Sequence, residues 1–389
     1  MAQFPYTVCF WNVRGLRSRG EETEVLAQWA DICGFGETRL TAGVDYDLPG
    51  FKLYRNDTGS GVLLAVRACV PHRVFAVPTC PGVTTVAVQV WSSLGWVLVV
   101  ALYVSGGFSG RDWEEWLRTL PQPVLLCGDF NAHHSLWGSR RHDRRGAVIA
   151  ASLENHDLVM LNDGTSTFVR WYGGTLQESV LDLAVCSRSL SGHLAMAISD
   201  DLRGSDHLPI LVGTALTGTL RGLRESVRSG RRADRSVPRV EGGKFGVFLQ
   251  KWGLGQRRNR QMRRSSRSNP PWWTDDCSLA VRDRRQAYRR FRRNQQIDRW
   301  EDFRVKSRAA KKVIRAAKRS YGARLCALVG SSISLAEVWK RASPGTGSGA
   351  AVSWVFAEDG VTILRGKCCS GFPGYPCGVP HCGFGLGVK

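Results

Sequence analysis

The chain has 389 residues, 43% of them hydrophobic and 22% charged, with a formal net charge of +21. That length holds one large domain or two ordinary ones around a sizeable core. The longest strongly apolar run, Trp96 to Val104, is far too short to span a bilayer. The charge is unevenly spread. Met1 to Leu216 carries 17 Lys and Arg against 21 Asp and Glu, Arg221 to Gly330 carries 32 against 9, and Ser331 to Lys389 carries 5 against 3. A nearly neutral half therefore precedes an Arg-rich block. Such a block most often meets a polyanion, with a membrane surface or an acidic protein as lesser readings. The 12 cysteines have no regular spacing. Cys9, Cys33, Cys127 and Cys186 sit in apolar runs and read as buried free thiols of a reducing compartment. The first residues lack a charged segment followed by an apolar one, so secretion is not expected.

In chain order, the pattern predicts strands at Tyr6–Trp11, Gly61–Arg67, Thr84–Trp91, Trp96–Val104, Val124–Asp129, Val180–Val185, Leu194–Ile198 and Leu208–Val212. Amphipathic helices are predicted at Glu21–Ile32, Asp112–Leu120 and Ala147–His156, with Gly146 as the boundary before the last. The second helix has Trp113, Trp116, Leu117 and Leu120 on one face. Strands outnumber helices, and helices fall between them, which points to an α/β sandwich rather than a barrel of βα units. From residue 216 to 269 the composition turns to Arg, Ser and Gly, the signature of a basic flexible linker. Pro270-Pro271-Trp272-Trp273 opens a new segment. Ser278 to Leu328 reads as an Arg-covered helix with a narrow stripe of Ala310, Ile314, Ala317, Tyr321 and Leu325, interrupted at Asn294-Gln295-Gln296 into a helical hairpin. Residues 344–389 show no periodicity and are expected to be disordered.

Polar groups recur at the ends of the apolar runs. Val124–Asp129 delivers Asp129, and Asn131 follows two residues later, the spacing that shares a face in a strand. Asn12 ends the first strand, Glu37 follows the first helix, and Tyr103 ends the Trp96 strand. Asp182 lies in Val180–Val185, and Asp206-His207 precedes the last strand. A carboxylate for a hard cation, a carboxylate for a water, amides, and an imidazole held by a carboxylate suit phosphodiester hydrolysis. Each of them alone reads as a cap, a turn residue or core; their joint order carries the signal.

That order resembles the endonuclease/exonuclease/phosphatase superfamily, and more closely the endonuclease domain of LINE-type (non-LTR) retrotransposon polyproteins. The resemblance covers the first 215 or so residues. It rests on Phe10-Trp11-Asn12, Glu37-Thr38-Arg39-Leu40, Tyr54-Arg55-Asn56-Asp57, Leu102-Tyr103, Gly128-Asp129-Phe130-Asn131-Ala132-His133-His134, Leu136-Trp137-Gly138, Leu161-Asn162-Asp163-Gly164, Leu181-Asp182-Leu183 and Ser205-Asp206-His207-Leu208-Pro209. It implies a four-layered α/β sandwich, DNase I-like, over residues 1–215. It also implies a site in which Glu37 holds a single Mg2+ (or Mn2+) with Asn12 close by and Asp206 beside the metal. Asp129 would orient or deprotonate water, Asn131 would hold the phosphate and Asp129, Tyr103 would contact the phosphate, and His207, oriented by Asp182, would bind a phosphoryl oxygen. The implied product is a DNA nick with a 3′-hydroxyl, made in the nucleus. Arg14 stands where repair enzymes of the superfamily carry Asp, which disfavours apurinic-site repair.

Residues 270–343 resemble the connector between endonuclease and reverse transcriptase. Their arginines, among them Arg284, Arg285, Arg289, Arg292 and Arg293, are candidates for phosphate contact with DNA or with element RNA. Arg140, Arg141, Arg144 and Arg145, in the loop after Asn131, are candidates for groove or phosphate contact. No polymerase motif follows. Cys368, Cys369, Cys377, His381 and Cys382 lack the paired spacing of a zinc site, and a truncated or frameshifted end is the better reading. The competing functions are a non-catalytic nucleic-acid-binding remnant and a phosphatase of the same fold.

Overall fold

The computed structural model describes residues 4–107, 109–214 and 269–329, together with the backbone of 352–356 and 363–367. The expected linker, 216–269, lies outside the described residues apart from its last one. Two compact units divide the chain at Pro344.

The first unit is built on period-two patterning. In β1 (Val8–Asn12), Val8 and Phe10 enter one apolar core while Cys9 and Trp11 enter another. In β7 (Gly95–Val104), Val97, Val99, Ala101 and Tyr103 face the first core, and Leu98, Val100 and Leu102 face a third. Strands apolar on both faces must be covered on both faces. Two six-stranded sheets do this. One runs in the order β13 (Ala195–Ile198), β14 (Ile210–Gly213), β1, β2 (Ile32–Gly36), β4 (Val62–Arg67), β3 (Phe51–Asn56). The other runs β5 (His72–Phe75), β6 (Val83–Ser92), β7, β8 (Val124–Asp129), β12 (Asp182–Ser187), β9 (Leu158–Met160). They share the central core. Helix α1 (Gly20–Ala27) covers the first sheet from outside; α2 (Gly110–Arg118) and α3 (Arg144–Asn155) cover the second. The result is the expected four-layered α/β sandwich, with a two-stranded ribbon, β10 (Phe168–Tyr172) and β11 (Thr175–Ser179), beside it. Cys9, Cys33, Cys127 and Cys186 are buried free thiols, as the apolar runs suggested.

Most boundaries shift by a few residues from the sequence expectation, and three of the shifts carry a physical reason or bear on the site. Helix α1 stops at Ala27, and Ile32, expected to end it, instead opens β2 in parallel register with Val8. Pairing against β1 buries Ile32, Cys33 and Phe35 completely, which a surface helix would not. Helix α3 starts at Arg144, capped by the Asp143 carboxylate accepting from the Gly146 N–H at 2.6 Å. Gly146 therefore lies inside the first turn, where a Cβ would stand 2.1 Å from the His133 carbonyl oxygen. Strand β12 begins at Asp182 rather than Val180.

Helix α4 (Arg188–Ser191) is a single turn. The helical hairpin forms as expected. Helix α5 (Asp275–Arg293) is capped by Thr274, and α6 (Ile297–Val329) follows the Asn294–Gln296 break. It does not stand apart as a separate domain; it packs on the sandwich within the same unit. Ala287, Tyr288, Phe291 and Phe303 join the central core, and Ile314 packs with Val25 and Trp272. Among the described residues no helix is long and apolar enough to cross a membrane. In the second unit, β15 (Val352–Phe356) and β16 (Ile363–Lys367) pair antiparallel. The rest of residues 345–389, including the five Cys and His positions weighed for zinc, lies outside the described residues.

Candidate active site

The side chains at the site occupy core-facing positions at which the apolar alternation stops. In β1 the series Val8, Phe10 ends in Asn12; in β7 it ends in Tyr103. In β8 Leu125 and Cys127 lead to Asp129, and in β12 Ala184 and Cys186 lead back to Asp182. Register then aligns them, because Tyr103 pairs with Asp129 and Asp129 with Asp182 across three neighbouring strands. Asn12 pairs with Gly36, one residue before Glu37. Two sheets thus present their polar ends along one edge of the central core. Gly128 permits the tight approach of β7 and β8, since a Cβ there would lie 2.4 Å from the Leu102 carbonyl oxygen.

The groups meet. His207 Nδ1 bonds Asp182 Oδ2 at 2.8 Å, and its Nε2 stands 3.9 Å from Asp129 Oδ2. Asn12 Nδ2 donates to Asp129 Oδ2 at 2.8 Å and to Glu37 Oε1 at 3.0 Å. Asp129, Asp182 and His207 are buried, and Glu37 is half-buried. Burial alone would push protons off His207. Asp182 beside it, with Asp129 and Asp206 beyond, outweighs this and raises its pKa to about 9. Burial drives the Asp129 carboxyl above the ordinary carboxylate range, with His207 opposing and Asp182 reinforcing it. At Glu37 burial is outweighed by hydrogen bonds from Asn12 and Arg39, and the carboxyl stays ionised below its usual pKa. Burial, then Glu37 and Asp129, raise the Tyr103 hydroxyl.

Sequence reasoning assigned no role to the residues that fix this geometry. The Trp11 indole donates to the His207 carbonyl at 2.9 Å, and Ser205 Oγ donates to the Asn12 carbonyl at 2.8 Å. Thr167 Oγ1 accepts from the Leu181 and Asp182 N–H groups. The backbone carries a further signal that composition could not. Among the described residues six non-glycines have positive φ, and Arg14, Glu37, Arg39 and Asn131 are four of them. Each such conformation costs on the order of 1 kcal/mol or more for a side-chain-bearing residue, and strain of this kind concentrates at functional sites.

Four expectations need correction. Asn131 does not share a strand face with Asp129, because β8 ends at Asp129 and Asn131 is left-handed at φ 46°. It reaches the site by folding back, its N–H donating to Asp129 Oδ1 at 3.0 Å and its Nδ2 to the Val104 carbonyl at 2.8 Å. Asn12 turns its amide nitrogen toward the carboxylates, while its oxygen accepts from the Arg14 N–H at 3.1 Å. It therefore aligns Glu37 and Asp129 rather than offering a metal an oxygen. Arg145 is not a free groove contact. It donates to the Asn131 and Gly106 carbonyls at 2.6 and 2.7 Å and so supports the loop that carries Asn131; Arg140, Arg141 and Arg144 are exposed.

The largest correction concerns Arg284. It is buried, bonded to Glu22 Oε1 at 2.6 Å and to Asp201 Oδ2 at 2.7 Å, and cannot reach a nucleic acid. Arg285 and Arg289 pair with Asp200, and Arg292 with Glu178. These arginines hold α5 to the sandwich, and of the five α5 candidates Arg293 alone is exposed and without a described ion pair.

Residues 98–211 match the family model described as endonuclease-reverse transcriptase. That stretch of the N-terminal domain is therefore similar to the endonuclease part of such proteins. Similar proteins include a probable RNA-directed DNA polymerase from transposon BS of Drosophila melanogaster, 27% identical over 226 residues. They also include the RNA-directed DNA polymerase from mobile element jockey of the same organism, 28% identical over 222 residues. Those alignments take in 55% and 54% of this chain but 25% and 24% of the relatives, so the chain spans about a quarter of their length. Among solved structures, the endonuclease domain of TRAS1, a telomere-specific non-LTR retrotransposon, is 21% identical at a TM-score of 0.45. That match covers 55% of this chain and 100% of that one.

A hard divalent cation prefers carboxylate oxygens that are ionised and incompletely bonded. Glu37 is ionised, and Asp206 Oδ1 is buried without a hydrogen-bond partner. Arg39 and Arg14 pair with these two carboxylates, Arg39 at 2.6 Å. The donor set fits such an ion. Asp129, Asp182 and His207 also bring ligand-type atoms within 4.8 Å of one another. The proton that Asp182 favours on His207 would compete with a metal there.

Proposed function

We propose that the domain is a metal-dependent endonuclease that nicks DNA and leaves a 3′-hydroxyl, within a non-LTR retrotransposon polyprotein acting on chromosomal DNA in the nucleus. The observation that carries this reading is the meeting of Glu37, Asn12, Asp129, Asp182 and His207 at one edge of the inter-sheet core. Glu37 and Asp206 would hold Mg2+ or Mn2+, which supplies charge neutralisation at the phosphoryl oxygens when bound.

The residues of this chain do the rest. Asp129, fixed by Asn12 and the Asn131 N–H, orients a water and takes its proton. The water oxygen attacks phosphorus, the P–O3′ bond breaks, and O3′ takes a proton from solvent, to which Asp129 then returns the one it accepted. His207, held cationic by Asp182, donates a hydrogen bond to a phosphoryl oxygen, where its charge matters most as negative charge develops. Tyr103, aligned with Asp129, is placed for the same phosphate.

Plasmid nicking with Mg2+ against EDTA tests this. Nicked circles with ends that a polymerase can extend are expected. Salt-sensitive DNA binding without nicking would leave the non-catalytic remnant as the better reading.

A further inference from the structure

The basic hairpin spends its charges in two ways. On α5, Arg284, Arg285, Arg289 and Arg292 all meet carboxylates of the sandwich or its ribbon. On α6, Arg304 and Arg308 are exposed and have no ion pair among the described residues. They lie one turn apart, about 6 Å along the helix axis. Both line an open groove of about 570 Å³ that begins at Arg14, Arg39 and Asp206 in the candidate active site. Arg170 of β10, also exposed, lines it as well.

The groove has a firm base. Trp171 of β10 packs edge-on against Phe291 and stacks on Trp300, tying the ribbon to both helices. The Val169 N–H donates to the Asp206 carbonyl at 2.8 Å, tying the same strand to the site. Arginines therefore recur from the catalytic carboxylates to α6 on a surface whose parts are locked together.

We infer that the docked hairpin is part of the endonuclease's substrate surface: Arg304 and Arg308 of α6, with Arg170, bind the backbone of duplex DNA flanking the scissile phosphate. This rests on the endonuclease reading and deepens it. Duplex DNA is the occupant the geometry favours. The groove opens into the site that would cut it, and unpaired guanidinium groups suit a backbone that enters from outside the protein. The connector then sets the length of DNA the enzyme grips, a part that an isolated 1–215 domain would lack.

The test uses the full chain with Arg304→Ala/Arg308→Ala. Affinity for a duplex is measured against salt in EDTA, and nicking is measured in Mg2+. The slope of log affinity against log salt should become shallower by about 2, close to 0.9 per lost phosphate contact. KM should rise while kcat stays unchanged. Arg282→Ala/Arg290→Ala removes the same charge from exposed positions of α5 outside the groove and should leave the slope nearly intact. Equal shifts in both variants, an unchanged slope in the first, or a loss confined to single-stranded RNA would each overturn the inference. If the unaltered chain nicks while the Arg304/Arg308 variant behaves like it, only the groove fails. If the unaltered chain binds through these arginines yet never nicks, only the endonuclease reading fails.

Discussion

Two buried charge clusters lie at different places on this sandwich, and they are balanced differently. At the interface with α5, buried Glu22 and Asp201 face buried Arg203 and Arg284, two anions against two cations, with the half-buried Arg285 and Asp200 paired beside them. At the strand ends, Asp129 and Asp182 face a single histidine, and the arginines ion-paired with Glu37 and Asp206 are exposed. The unpartnered buried atoms differ as well. Around the first cluster they are guanidinium nitrogens, of Arg203, Arg284 and Arg285; at the second they include carboxylate oxygens of Asp182 and Asp206. A cluster whose charges cancel internally is suited to holding structure. One left with surplus negative charge and free oxygens is suited to receiving a cation and a phosphate.

Removing charge should therefore have opposite consequences in the two places. At the strand ends, Asp129→Ala and His207→Ala should each lower kcat for nicking by roughly 10²–10⁴-fold. For Asp129→Ala the thermal midpoint should hold or rise, because one of two buried like charges is gone. A nicking rate near that of the unaltered chain would mean that the cluster is not catalytic. At the interface, Arg284→Ala leaves Glu22 and Asp201 buried with less compensation. It should cost about 3–5 kcal/mol in denaturant unfolding. A loss below about 1 kcal/mol would show that the hairpin is not held by this network.

The pH response separates the clusters again. Burial raises the Asp201 pKa, but Arg284, then Arg203 and Arg285, outweigh it and hold the carboxyl well below the usual range. A depressed folded-state pKa adds stability that is complete above the unfolded value of about 3.9 and is lost as pH falls below it. Stability should thus fall in acid, and less steeply in Arg284→Ala. His207 shifts the other way. Its imidazolium persists through neutrality and is lost as pH rises through about 9, so kcat should decline on that alkaline limb. The acid limb should lie above the ordinary carboxylate range, since Asp129 is raised. A profile flat from acid to alkali would argue against both assignments.

How much of this was legible in the sequence depends on how local each cause is. Asp129, Tyr103 and Asp182 could be read as polar ends of apolar runs, since alternation is a neighbour-by-neighbour property. The contact of Asp182 with His207 was accessible only through family resemblance; nothing in the spacing of residues 182 and 207 states it. Strand β2 was hidden because Cys33, Phe35 and two glycines give a weak pattern until β1 pairs with them. Arg284 was misjudged for a similar reason. An arginine in an Arg-rich helix reads as solvated, and only the fold brings Glu22 and Asp201 to it.

The same lesson applies at smaller scale to the pair Arg144 and Arg145, neighbours that sequence cannot tell apart. Arg144 is exposed on the first turn of α3, whereas Arg145 is held by two backbone carbonyls, one of them that of Asn131. Arg144→Ala should weaken duplex binding only modestly, reducing the salt slope by about 1 with kcat unchanged. Arg145→Ala should release Asn131 and with it the N–H that aligns Asp129, so that kcat falls more than KM rises. Arg145→Lys should recover little, because a lysine cannot bridge two carbonyls as a planar fork does. If the two alanine variants instead behave alike, both through affinity, then Arg145 acts as a phosphate contact and the loop keeps its shape without it.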